Sequence, residues 1–175
     1  DDRAEVGAGA GEGLELIGLV VVDEGGGVVA EVEEVILAFG FGDALALGPH
    51  WYYDLAEMRR DYGEWISGYT DPQPNRYHAG LKAGQLSQAG WILTLTLKSI
   101  NDCGGYDEAD FCRRLEEELF PQLDGTPVNG PGGYTSQSIR EAWHRRVLQQ
   151  LPWTETGGHA DTTEAIERTL AIAVR

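Results

Sequence analysis

The chain sets 13 Lys and Arg against 29 Asp and Glu within 175 residues, a formal charge of −16. Such a field repels phosphate backbones and anionic membrane surfaces, which argues against nucleic acid as a partner and favours cations or basic protein surfaces. With 42% apolar residues in a length typical of one domain, the chain should bury a substantial core.

The first dozen residues, DDRAEVGAGAGE, hold almost nothing to bury and read as an arm. LELIGLVVV, Leu14 to Val22, is a short apolar run whose length and valines favour a strand or extended segment over a buried helix. Residues 1–27 are therefore expected to form a Gly- and acid-rich arm with one short apolar segment, and residues 28–175 a helical domain. From Val28 the apolar residues Val29, Val32, Val35, Ile36, Phe39, Leu45 and Ala46 return at short intervals, which predicts a helix over 28–47 stopped by Gly48-Pro49. Trp51 to Leu86 is so dense in glycine and proline that only short helical pieces fit. QAGWILTLTLKSI, Gln88 to Ile100, is apolar on most sides and predicts a central helix over 88–101, with a strand as the alternative because of its threonines.

Asp107 caps a predicted helix over 108–120, whose Phe111, Leu115, Leu119 and Phe120 form one stripe before Pro121. Gly125 to Gly133 reads as loop. Ser136 or Ser138 opens a helix over 137–151, with Ile139, Trp143, Val147 and Leu151 four residues apart and Pro152 beyond. A last helix over 161–175 starts at Asp161 as N-cap, with Glu164 three residues on as in a capping box. The class is mainly α, and the expected core is Trp91, Ile92, Leu95, Phe111, Leu115, Trp143 and Val147. The longest strictly apolar run is far short of the ~20 residues of a membrane span, because Asp43 interrupts Val35 to Leu47. Cys103 and Cys112 fit no CxxC pair and no zinc spacing, and read as two reduced thiols. The start at Asp1, without Met or leader, suggests processing or trimming, with an organelle reached through a removed targeting peptide as one explanation; the location itself stays open.

One segment stands apart. GDALALGPHWYYD, Gly42 to Asp54, puts an aspartate in an Ala/Leu run and then crowds a histidine and three aromatics after a proline. Trp51, Tyr52 and Tyr53 gain most when packed, so something is expected to be buried or bound there. This segment resembles the opening signature of the ADP-ribosylglycohydrolase superfamily, in particular its J1-crystallin-like branch. YHAGLKAGQ, Tyr77 to Gln85, resembles the next landmark of that branch, and GGHADTTEAIER, Gly157 to Arg168, is similar to a third. Three segments in one order are far more specific than any of them alone, and the resemblance runs from about Val28 to Arg175.

The resemblance implies an all-α fold that, in active members, binds two magnesium ions and hydrolyses a glycosidic bond to ADP-ribose. Hard Mg²⁺ wants carboxylate and hydroxyl oxygens, which position the ribose and a water. The sequence departs from that pattern where the chemistry is carried. Active members hold metal with a threonine and adjacent aspartates in the segment equivalent to Gly84–Leu93; here it reads GQLSQAGWIL, with Gln85, Ala89, Gly90 and Trp91 and no carboxylate. An indole offers a hard cation no lone pair, and Ser87 alone cannot hold one. Resembling proteins are also longer, and their C-terminal part supplies a second aspartate-rich metal motif. The chain therefore reads as a partial domain, with its last apolar helix, Ile166, Leu170, Ala173 and Val174, expected to need a cover.

Each candidate residue has two readings. Asp43 either helps hold magnesium or hydrogen-bonds a neighbouring backbone. His50 and Trp51 either touch a ribose or pack in a core. Tyr77 and His78 are either a ligand-side turn or a loop anchor. Asp161, Thr162 and Glu164, together with Asp43, are either vestigial metal ligands or, for the first three, cap chemistry. Gly80 and Gly84 are expected at positive φ. The preferred function is a catalytically inactive ADP-ribosylglycohydrolase-like domain serving as a structural or binding subunit of a larger assembly. No catalytic residue, no metal and no cofactor is expected; the partners would be other protein subunits, reached through the C-terminal helix and the N-terminal arm. The alternatives are the N-terminal part of an active magnesium-dependent hydrolase, and a sensor of ADP-ribose-like ligands.

Overall fold

The computed structural model of the chain describes residues 30–123, 136–160 and 162–173, with the side chains of 30–36, Leu170 and Ala173 excepted. The expectations for the arm at 1–27, the segment Leu14–Val22, the loop at Gly125–Gly133, Asp161 and Val174 lie outside those residues. Every regular element among them is helical: α1 (Ala30–Ala46), α2 (Leu55–Tyr62), α3 (Gln88–Cys103), α4 (Glu108–Arg114), α5 (Gln137–Trp143) and α6 (Glu164–Ala173), with two π-helical and two 3₁₀ turns between them. The mainly-α reading holds, and so do the helices expected near 28–47, 88–101 and 108–120. No helix among the described residues is long and apolar enough to cross a membrane.

α3 is the axis of the fold. Its Ser87 N-cap accepts from the Ala89 N–H, and Gly104 ends it in the left-handed conformation at φ 70°. The threonines that left a strand open as an alternative are accommodated within the helix. Thr94 and Thr96 each donate a hydroxyl to the carbonyl four residues back, Gly90 and Ile92, at 2.9 Å, so a buried Thr needs no other partner. α1, α4 and α6 all pack on α3. Asp107 caps α4 by accepting from the Asp110 N–H at 2.9 Å. The chain then runs on as a π-helical turn, Leu115–Leu119, and a 3₁₀ turn, Phe120–Gln122, where Pro121 has no N–H to continue a helix.

The core joins Ile92 and Leu95 of α3 with Leu115, Leu119, Phe120, Leu123 and Ile139, and Trp91, Phe111, Trp143 and Trp153 pack against it. Val147, expected in this core, is instead 42% exposed. After Trp143 the helix widens into a π-helical turn, His144–Leu148, and its i→i+5 bonding breaks the four-residue stripe that pointed Val147 inward. The helix closes before Leu151 as well. Gln150 turns left-handed at φ 57°, and the Leu151 N–H reaches back to the Arg145 carbonyl at 3.0 Å. Trp153 does the closing: it stacks on Phe120 at 5.7 Å and donates its indole N–H to Glu116, whose same oxygen accepts from Arg146.

α6 packs against α3 with Ala171 buried; of the residues expected to need a cover, Ile166 is exposed and the side chains of Leu170, Ala173 and Val174 lie outside those described. Cys103 and Cys112 are both free thiols.

Candidate functional site

Where α1 ends beside the start of α3, Asp43 turns its carboxylate onto Ser87. One oxygen accepts the Ser87 N–H at 2.7 Å and the other accepts the Ser87 hydroxyl. The approach is possible because position 90 is glycine: a Cβ there would lie 2.5 Å from the Asp43 carboxylate. Burial pushes the Asp43 carboxyl above its ordinary value, against the pull of the two Ser87 bonds and of His50; Glu167 of α6 adds to the upward push. Both Asp43 oxygens are engaged by Ser87.

Asp43 forms the wall of a cleft of about 390 Å³ whose lining includes Phe39, His50, Ser87, Ala89 and Glu167. His50 sits on its rim in the turn after α1. Its Nδ1 lies 2.7 Å from the Nε2 of His78, 28 residues further on. Burial lowers the pKa of both rings, His78 to about 4, with His50 adding to the effect there; Asp43 and Glu167 pull His50 back upward. Trp51 adopts φ 62°, a left-handed conformation costly for a bulky residue, and its ring lies 4.8 Å from His50 and 4.4 Å, edge-on, from Tyr77. Gly80 and Gly84 take positive φ as expected.

The three aromatics therefore part ways. Tyr52 is buried, with the Arg76 guanidinium 3.7 Å over its ring and its hydroxyl donated to Asp61 at 2.9 Å. Trp51 is half-buried. Tyr53, expected inside with them, is 87% exposed. The left-handed backbone at Trp51 redirects the chain, so consecutive side chains leave it on different sides.

The ADP-ribosylglycohydrolase family model matches residues 29–175. The chain belongs to the ADP-ribosylglycohydrolase family. No curated protein and no solved structure matches it.

Within this ADP-ribosylglycohydrolase domain the three motifs meet only in part. Asp43, His50, Trp51, Tyr77 and His78 gather at the cleft and its rim, whereas Thr162 is exposed and Glu164 faces elsewhere. Glu164 accepts from the buried Ser138 hydroxyl and pairs with Arg168 at 2.9 Å, and Arg168 also donates to Ser136 and Ser138. Those bonds outweigh burial and hold the Glu164 carboxyl below its ordinary value. Glu164 thereby clamps α5 to α6; Asp161, its expected capping-box partner, lies outside the described residues. Thr163 supplies the opening carbonyl of α6, accepting from Ile166 and Glu167. It is Glu167, one turn on, that lines the cleft.

Sequence reasoning missed Glu167, the His50–His78 pairing and the part Ser87 plays. For Ser87 the signal was present: a serine just before an apolar helix, three residues ahead of a glycine, marks an N-cap with a close approach behind it. For the other two, a single sequence holds no signal, since the contacts span 28 residues or more.

Proposed function

We propose that this ADP-ribosylglycohydrolase domain is catalytically silent and serves as a structural or binding subunit of a larger assembly. The observation that carries the reading is the double bond pattern of Asp43: both carboxylate oxygens are engaged by Ser87, at the helix start where active members set a threonine and aspartates. The donors left near it do not fit a magnesium ion. Gln88 offers a neutral amide whose oxygen accepts from the Ser136 N–H at 3.2 Å, Ala89 and Gly90 offer nothing, and the Glu167 carboxylate accepts from Thr163 at 2.8 Å. Mg²⁺ gives up its waters only to several hard, well-placed oxygens, and two carboxylates already hydrogen-bonded to serine and threonine are not such a set. The three motifs GDALALGPHWYYD, YHAGLKAGQ and GGHADTTEAIER support the J1-crystallin-like branch, and the acidic field supports partners with basic surfaces.

The test pairs calorimetry with Mg²⁺, at low ionic strength so that a weak site is not screened, with an assay for release of ADP-ribose from a modified protein. The reading predicts no micromolar binding and no turnover above the protein-free control. Turnover, or micromolar binding lost in Asp43→Ala, would replace it with a magnesium-dependent hydrolase.

A further inference from the structure

The His50–His78 contact ties together two turns 28 residues apart in the chain. The ring centroids are 5.0 Å apart, the planes are 13° from parallel, and the facing nitrogens are 2.7 Å apart. That centroid spacing is about the N···N gap plus the two distances from ring centre to nitrogen. The imidazoles therefore meet edge to edge, with the hydrogen bond along the line of the nitrogens. Such a line holds one proton. In the neutral pair one ring donates, the other accepts, and each fixes the tautomer of the other. A first added proton goes to an outer nitrogen and leaves the bridge intact as a charge-assisted bond. A second would put N–H on both facing nitrogens, and the bridge cannot survive it.

The surroundings decide the order of these steps. His50 faces Asp43 from α1 and Glu167 from α6, both of which favour its cation, while α3 contributes the uncharged Ser87 to this wall. His78 is buried, and the His50 cation opposes a second charge on it. Beside the pair stands Trp51, at φ 62° and in ring contact with His50 and Tyr77. A strained residue of this kind persists only while its neighbours hold it, which makes the rim a two-state element.

From this arrangement we infer that His50 and His78 form an acid-released latch that fixes the turn after α1 against the Tyr77–Leu81 turn, and with it the rim of the Asp43 cleft. The latch stays shut with no extra proton or with one; it opens with two, and Trp51 then relaxes out of the left-handed region and carries the rim with it.

Nitrogen-15 NMR on the whole chain tests this directly. At pH 7 a coupling across the hydrogen bond is expected between His50 Nδ1 and His78 Nε2. It should outlast the first protonation and vanish as His78 titrates at about 4, with the amides of 48–51 and 77–81 shifting in the same step. In His78→Gln, which bonds without titrating, those amides should show no step there. The inference is overturned if the coupling is missing at pH 7, if the two rings titrate independently, or if His78→Gln keeps the step. Should that variant not fold, the coupling in the unmodified chain decides alone.

Discussion

The middle and the start of α3 are held by different physics. Toward its middle, Ile92 and Leu95 are sealed in an apolar cluster with Leu115, Leu119 and Ile139. At its start, Ser87 is held by the Asp43 carboxylate, which has room only because position 90 is glycine, and the histidine pair stands nearby at the cleft rim. The middle depends on filled volume; the start depends on geometry, and a single added methyl disturbs it.

The largest effect should come from the apolar middle. Leu95, with no exposed surface, should lose about 2–5 kcal/mol on substitution by alanine, whereas Val147→Ala should stay within about 0.5 kcal/mol because that side chain sits in a widened turn facing water. Denaturant unfolding of both variants checks the contrast. Equal losses would mean that Val147 belongs to the core after all.

The polar start should show itself in pH. The folded pKa values of His50 and His78 are lowered, so their contribution is fully present above the ordinary histidine value of 6.5 and is lost as pH falls from there toward about 4, where His78 titrates. The loss should reach about 1–3 kcal/mol by pH 4, and His78→Gln should flatten it. Asp43 works in the opposite sense: its raised value favours the folded chain in acid, and that contribution is lost as pH rises from the ordinary carboxylate range to the raised value. A stability curve flat between pH 6.5 and 4 would remove the histidines from this account.

Gly90→Ala should cost about 1–3 kcal/mol by overpacking, because its Cβ would stand 2.5 Å from Asp43. In an Asp43→Ala background the same change should cost clearly less, and additive losses would show that the two positions do not touch. The smallest effect concerns Trp51. Both truncations lose its ring contacts, but Trp51→Gly should be more stable than Trp51→Ala by about 1 kcal/mol, since only glycine takes φ 62° freely.

The fold was legible where one kind of residue repeats. Apolar spacing and breakers gave α1, α3 and α4, and Asp107 marked its own cap. Val147 and Leu151 were misjudged because nothing local announces a π-helical turn or a left-handed glutamine. At the site, the motif residues Asp43, His50 and His78 were legible from the resemblance, while Glu167 in the cleft lining and the pairing of the rings arise from contacts between segments far apart in the chain. Tyr53 shows the limit of composition: three aromatics in a row suggest burial, and one strained backbone sends the third into water.

The central claim is that Asp43 serves the fold and not a metal, and a double-mutant cycle of Asp43→Ala and Ser87→Ala, measured by unfolding with and without Mg²⁺, tests it most directly. The account predicts that each single change destabilises the chain by about 1–3 kcal/mol, that the pair couples by about 0.5–3 kcal/mol, and that Mg²⁺ moves no Tm. A metal ligand would behave in the reverse way: Asp43→Ala would be neutral or stabilising without metal, and Mg²⁺ would raise the Tm of the unmodified chain but not that of the variant.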